Sequence, residues 1–373
     1  MKVPWSFLEE MDTKYLRLDD YIATGVISES DREKIRAAAE VLREGGLVAF
    51  PTETVYGLGG DARRSDVSAR IYAAKGRPSD NPLIVHISAM EELAPLVSEF
   101  PEKAEKLCAA FWPGPMTVVF NKSGVIPPAT TGGLSTVAVR MPVHPVAGEL
   151  IRIAGVPVAA PSANRSGRPS TTTAQHCLED LSGRVDMVLD GGPCDIGVES
   201  TIVDVTEEHL MLLRPGAVTF EMITGLFREE PLLDKALRGP LSEGEKPKAP
   251  GMKYRHYAPK APLCVVRGKN GKTGEKVWNR ILELSSGTEK KCLLLTKEGA
   301  SYLAAKVPAS CSVKVFGSAE NEEEIAKNLF SVLRDTDETE YSTILAEGFG
   351  EKDLFLAVMN RLKKAAGWHI EEV

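Results

Sequence analysis

The feature that most constrains the fold is a series of short apolar, β-branched runs, separated from one another by turn signals and a few helical patterns. They occupy residues 47–50, 83–87, 116–120, 136–139, 156–159, 187–189, 201–205 and 210–213. Runs this short, without helical periodicity, predict buried strands. Residues 30–44 instead place Ile35, Ala38, Ala39 and Leu42 at helical spacing, with Ser30 and Glu33 as an expected capping box and Gly45 as a stop. The expectation is a mixed α/β domain over 28–226, built on one large sheet.

From 227 to 260 the apolar pattern fades, and Pro240, Pro247, Pro250 and Pro259 exclude one long helix. This segment reads as a linker. Beyond it, strand patterns at 263–266, 292–295, 313–316 and 343–346 alternate with helical patterns such as 322–333 and 354–366. That alternation predicts a smaller, doubly wound parallel α/β domain of Rossmann-like type over 261–373. A chain of 373 residues, 43% hydrophobic, has enough apolar material for two such cores.

No stretch approaches the roughly 18 consecutive apolar residues of a membrane span, and the first ten residues carry acids where a secretory signal needs an apolar centre. The expectation is an unexported, cytoplasmic protein with no membrane partner. The six cysteines are scattered singly, without C-x-x-C spacing, which argues against a disulfide framework or a zinc site. The net charge of -7 argues against non-specific nucleic-acid binding as the main function, while leaving room for a local basic cleft.

Two glycine-bearing segments imitate nucleotide motifs. Gly57-Leu58-Gly59-Gly60 lies too far from the strand ending at Phe50 to serve as a dinucleotide-binding turn. Gly271-Lys272-Thr273 lacks the first glycine of a P-loop, because Val266 stands there.

Several polar segments leave strand ends, where α/β proteins bind ligands. Residues 51–58 (Pro-Thr-Glu-Thr-Val-Tyr-Gly-Leu) pack hydroxyls, a carboxylate and a phenol together. A threonine-capped turn is the competing reading. Lys75 and Arg77 sit in a loop stiffened by Pro78 and Pro82 and offer a point charge and a planar fork to phosphate oxygens; Asn81 and His86 could add neutral hydrogen bonds. His86, between Val85 and Ile87, reads equally as a satisfied core histidine. Thr136 and Arg140 bracket one strand, and Arg140 suits either a carboxylate clamp or an ion pair. Ser162, Asn164, Arg165, Arg168 and Ser170 follow another strand, and Glu199-Ser200 and Arg214 mark two more strand edges.

Residues 51–58, Lys75-x-Arg77 with Asp80-Asn81-Pro82, and Ser162-x-Asn164 together resemble the signature of threonylcarbamoyl-AMP synthases, which have the YrdC-like fold. The run Pro250-Gly251-Met252-Lys253-Tyr254-Arg255-His256-Tyr257 resembles the linker of the long, two-domain form. The resemblance covers the chain after Met11, itself a possible alternative start. It implies a nucleotidyltransferase that joins L-threonine, bicarbonate and ATP into threonylcarbamoyladenylate with release of pyrophosphate. The product serves the modification of the tRNA adenosine next to the anticodon.

Carried onto this sequence, the resemblance assigns threonine to Thr54, His86, Arg140, Ala160 and Ser200. It assigns ATP to Arg77, Asn81, Thr136, Ser162, Ser170, Arg214, Tyr254 and His256. Lys75, Arg77, Ser162 and Asn164 form the catalytic set. Carboxyl adenylation needs alignment of two anions and neutralisation of a leaving group more than it needs a strong base. Magnesium is expected on the ATP phosphates, with no protein metal site, because no carboxylate pair stands out. Residues 253–257 are expected to act as a lid over the cleft. Implied partners are tRNA-modification proteins that use the intermediate, with a possible weak tRNA contact. Two other readings are an RNA-binding module and a carbamoyl-phosphate-dependent carbamoyltransferase of the same fold.

Overall fold

The computed structural model describes residues 12–239, 245, 247–252 and 256–373. In its first part the elements run β1 (Lys14–Arg17), α1 (Asp19–Thr24), α2 (Glu29–Arg43), β2 (Val48–Phe50), β3 (Gly57–Asp61), α3 (Ser65–Lys75), β4 (Ile84–His86), α4 (Glu102–Phe111) and β5 (Met116–Asn121). There follow β6 (Thr136–Arg140), α5 (Pro145–Ala154), β7 (Val158–Ala159), α6 (Ala174–Leu181), β8 (Met187–Asp190), β9 (Thr201–Asp204), β10 (Met211–Arg214), α7 (Phe220–Phe227) and β11 (Leu232–Leu233). All these strands join one mixed eleven-stranded sheet, ordered β1-β8-β2-β3-β7-β4-β6-β5-β9-β10-β11.

The second part runs β12 (Leu263–Arg267), α8 (Glu275–Leu284), β13 (Lys291–Leu295), α9 (Lys297–Leu303), β14 (Cys311–Val315), α10 (Glu322–Asp335), β15 (Thr343–Glu347), α11 (Asp353–Ala365) and β16 (Ile370–Glu372). Its five strands are all parallel, ordered β14-β13-β15-β12-β16. Helices cover both faces. Val265, Leu294 and Ala346 pack towards α10 and α11, while Val266, Leu293 and Leu345 pack towards α8. A sheet buried on both sides has no polar face, which is why its central strands read as unbroken apolar runs. The expected mixed α/β architecture with a smaller doubly wound parallel sheet is the observed one.

Helix α2 starts earlier than its expected capping box. Ser28, not Ser30, is the N-cap, and its hydroxyl accepts from the Asp31 backbone N–H at 3.1 Å. Asp31 in turn accepts from Tyr21 N–H, so it belongs to the first turn and draws the cap back two residues. The apolar face is as expected: Ile35, Ala38, Ala39 and Leu42 are fully buried against Val146, Leu150 and Ile151 of α5. Each large aliphatic buried there contributes about 1.5–3 kcal/mol.

Strand β3 lies in a glycine-rich stretch, Gly57-Leu58-Gly59-Gly60-Asp61. It pairs antiparallel with β2, Gly57 opposite Phe50, and with β7. A Cβ on Gly59 would stand 2.7 Å from the Phe50 ring, and one on Gly60 would stand 2.4 Å from Val67. The glycines therefore serve close packing inside the sheet. The segment after 226 is also more anchored than a linker pattern suggests. Leu232 and Leu233 pair with β10, and Ala236, Ala249 and Met252 are buried with Ile84, Ala138 and Leu213.

The two sheets meet through the loops of the first and the helices of the second. Val55 and Val198 join the core around Tyr257, Ile325 and Phe330. Arg334 on α10 is 4% exposed, and it donates to the carbonyls of Pro169 and Ser170 and to the fully buried Asp180 carboxylate at 2.8 Å.

Candidate active site

The cleft forms where β2, β4 and β6 end and the chain leaves the sheet. β4 and β6 are parallel with His86 opposite Arg140, so the two side chains that close these strands stand side by side. The segment from Pro51 to Tyr56 loops from β2 to β3, and an isolated bridge pairs Gly57 with Ser162 across the cleft wall. At the end of α3, Gly76 takes a left-handed conformation with φ of 62°, which turns the chain sharply enough to set Arg77 beside the cleft.

Lining residues include Thr54, Lys75, Arg77, His86, Arg140, Ala160, Ser162, Asn164, Ser170, Ser200, Arg214 and His256, all expected at the site. The structure thus brings together side chains spread over more than half the chain, in a space of about 700 Å³ including its mouth. Asn81 and Thr136 do not form the wall. Asn81 is buried behind it, with its backbone carbonyl accepting from Arg77. Thr136 opens β6 at the end opposite Arg140, roughly 13 Å away along the strand. Tyr254 lies outside the described residues, as do Lys253 and Arg255 of the expected lid; His256 and Tyr257 of that segment line the cleft.

Arg140 is 3% exposed. Its Nη1 donates to the Thr54 hydroxyl at 2.9 Å, its Nε donates to the Gly114 carbonyl at 3.3 Å, and its Nη2 lies 2.7 Å from the Glu53 carboxylate. The last contact is an ion pair poorly angled for hydrogen bonding, because both Glu53 oxygens and Arg140 Nη2 make no hydrogen bond within the protein. His86 is no satisfied core histidine, since its buried Nδ1 also has no partner within the protein. Burial, then the neighbouring Arg140 charge, push His86 down to about 3, so it is neutral near pH 7. Orphaned buried groups are expensive unless a ligand supplies their partners.

Further cations line the cleft. Lys75 is buried and donates to the backbone carbonyls of Ser162 and Asn164, while the Ser162 hydroxyl donates to the Asn164 side chain. Burial and then Arg77 hold the Lys75 ammonium well below the ordinary lysine range. Arg77 donates to the carbonyls of Asn81 and Pro82 at 3.2 and 2.9 Å. Arg214, pushed down to about 10 by burial, donates to the Ser200 carbonyl at 3.0 Å and to its hydroxyl at 3.1 Å.

Glu199, Tyr257 and Arg361 escaped the sequence reading as partners. The Ser170 hydroxyl donates to Glu199 at 2.6 Å, and Arg361 of α11 donates to the other Glu199 oxygen at 2.9 Å. No spacing pattern links residues 162 positions apart; only an arginine inside the last apolar helix hinted at a buried pair.

Among the described residues, no group of three His, Cys, Asp or Glu side chains could hold a metal ion. Glu199, which lines the cleft, is tied to Arg361, and the buried Glu53 beside it is tied to Arg140. These residues do not fit a protein cage for a divalent cation. No described helix is long and apolar enough to cross a membrane.

A cation-rich cleft at the strand ends of a mixed α/β sheet, holding buried polar groups without partners, has the make-up of a small-molecule site. A family profile described as telomere recombination (Sua5, YciO, YrdC) matches residues 40–216, and the profile of the threonylcarbamoyl-AMP synthase C-terminal domain matches 218–367. The chain is 49% identical over 340 residues to the threonylcarbamoyl-AMP synthase of Pyrococcus abyssi, covering 91% of this chain and 96% of that one. It is 45% identical over 349 residues to the Bacillus subtilis protein of the same name, covering 93% and 96%. The crystal structure of P. abyssi Sua5 complexed with L-threonine matches it with a TM-score of 0.86 at 46% identity, over 97% of this chain and 99% of that one. The chain belongs to the threonylcarbamoyl-AMP synthase family and is an enzyme.

Proposed function

We propose that the enzyme condenses L-threonine, bicarbonate and ATP into L-threonylcarbamoyladenylate and pyrophosphate. The observation that carries this reading is the make-up of the cleft. Arg140, Thr54 and the neutral His86 form a pocket with the donors and acceptors an amino acid needs. Around it Arg77, Arg214 and the Ser162–Asn164 loop pinned by Lys75 offer cations and amides to a polyphosphate. A relative solved with L-threonine supports the first of these assignments.

In this reading Arg140 holds the threonine carboxylate as a fork, and Thr54 or Ser200 selects threonine's hydroxyl, since a polar group left unpaired disfavours analogues lacking it. Threonine's amine gains CO2 from bicarbonate as a carbamate, with loss of water. A carbamate oxygen then attacks the α-phosphorus, and the bond to pyrophosphate breaks. Arg77 and Arg214 neutralise charge that grows on the leaving group. Magnesium enters on the ATP phosphates, and no step is assigned to it. The ATP contacts assigned to Asn81 and Thr136 require the nucleotide to extend past the cleft wall.

Residues 28–226 form the catalytic domain in this reading, 227–260 the linker with its lid, and 261–373 the second domain. His256 and Tyr257, at the cleft beside Pro250 and Gly251, support the lid assignment. The product passes to proteins that threonylcarbamoylate tRNA, and any direct tRNA contact is weak. The deciding experiment is pyrophosphate release from ATP with threonine plus bicarbonate, compared with carbamoyl phosphate. Release with threonine and bicarbonate alone supports the proposal; release only with carbamoyl phosphate overturns it.

A further inference from the structure

Of the buried cations outside the catalytic set, Arg361 has the most telling surroundings. It sits on α11 of the second sheet, fully buried, yet its partners belong to the cleft of the first. Its Nε donates to the Glu199 carboxylate at 2.9 Å, its Nη2 donates to the Glu199 carbonyl at 3.3 Å, and its Nη1 donates to the Pro215 carbonyl. These acceptors immediately flank Ser200 and Arg214, which grip each other on the cleft side. One turn further along α11, Lys364 donates to the Gly251 carbonyl at 2.7 Å, again on a segment lining the cleft.

Glu199 lines the cleft as well. Burial pushes its carboxyl up, but Arg361 and Arg214 outweigh burial and hold it at about 2, so it is an anion near pH 7. An anion in this position opposes every anionic substrate the cleft is built for. A planar guanidinium behind it cancels that charge and fixes the two strand edges with its remaining donors.

We propose that Arg361 is a positioning residue of the active site, neutralising Glu199 and holding the Glu199–Ser200 and Pro215 backbone so that Ser200 and Arg214 face the substrates. The proposal rests on the reading that the cleft binds ATP and threonine. It adds that the cleft is electrostatically incomplete without the second sheet, which supplies the missing charge from α11. Arg361 touches no substrate; it acts through Glu199, Ser200 and Arg214.

The test uses the full chain and four proteins: wild type, Arg361→Met, Arg361→Lys, and the double variant Glu199→Gln/Arg361→Met. A non-hydrolysable ATP analogue is titrated by calorimetry, and KM and kcat are measured for pyrophosphate release. Near-UV circular dichroism establishes that each variant is folded at the assay temperature. Folded Arg361→Met is expected to bind the analogue at least about tenfold more weakly, with KM for ATP rising more than kcat falls. The lysine variant should lie between it and wild type. The double variant should recover at least about threefold of that loss but not all of it, because removing the Glu199 charge removes the need for its counter-charge while the Glu199 and Pro215 carbonyls stay unheld.

A role limited to joining the sheets would lower stability without moving KM in the folded variant, and that outcome overturns the proposal. So does a folded double variant as weak as the single one. If Arg361→Met fails to fold, the double and lysine variants decide by the same criteria. Wild type that neither binds the analogue nor releases pyrophosphate would instead bring down the functional reading, and this inference with it.

Discussion

Arg140 directs one guanidinium nitrogen to the Thr54 hydroxyl at 2.9 Å and another to within 2.7 Å of the Glu53 carboxylate. A buried arginine held from two sides cannot swing to follow a ligand, so it acts as a fixed fork. Arg140→Gln should therefore weaken threonine binding by about 2–5 kcal/mol, because Glu53 is also left unpaired. Affinity for an ATP analogue should change little. Arg77→Ala should show the opposite selectivity. Calorimetric titration of both ligands checks this, and a reversed pattern would mean that the two anion sites are exchanged.

Lys75 acts on the loop that carries Ser162 and Asn164. Lys75→Met removes two charge-assisted bonds to that loop, each worth about 1.5–3 kcal/mol, offset by relief of a buried ammonium. The expected result is a fall in kcat of at least about tenfold, with a smaller loss of stability. Steady-state pyrophosphate release and urea unfolding measure the two quantities. A large stability loss with unchanged kcat would contradict the assignment.

Four histidines set a pH dependence of stability. Burial is the first cause for all of them, holding His86 and His256 at about 3 and His144 and His176 at about 4, below the ordinary histidine value near 6.5. Between those values the unfolded chain binds protons that the native state refuses. Their stabilising contribution is therefore complete above about pH 6.5 and is lost as pH falls towards 4 and then 3. Each contributes a slope of up to about 1.4 kcal/mol per pH unit in that window. Urea unfolding at pH 7.5, 6 and 5 should show the decline, and His144→Asn should flatten it.

Gly197 fixes how closely the two sheets approach. Its φ is +80°, and a Cβ added there would stand 2.4 Å from Lys327 Cα on α10. Gly197→Ala combines left-handed strain with a clash against backbone and should destabilise the chain by about 1–3 kcal/mol. It should also speed proteolytic cutting within 227–260. Urea unfolding and timed proteolysis would detect both effects, and wild-type behaviour in the two assays would show that α10 yields freely.

Much of this was legible from local pattern. The strands read from apolar runs are present within a residue or two, since burial of a side chain and its hydrophobicity are the same physical fact. The polar segments at their ends reach one cleft, although Asn81 is buried off its lining and Thr136 lies at the far end of β6. β3 stayed hidden because packing against Phe50 and Val67 leaves no room for the β-branched residues that usually announce a strand. β1, β11 and β16 stayed hidden because edge strands carry little apolar pattern of their own.

The chain's sequence alone determined the classes of its two sheets, the family and the residue types gathered at the cleft, because periodicity and motif spacing are local properties. Only the tertiary structure decided who faces whom. It aimed Lys75 at the 162–164 loop and left His86 Nδ1 without a partner. It also set Arg361 of the second sheet behind Glu199 of the first. Such pairings follow from the docking of distant surfaces, and the energy of a buried charge depends on that docking as much as on its own residue type.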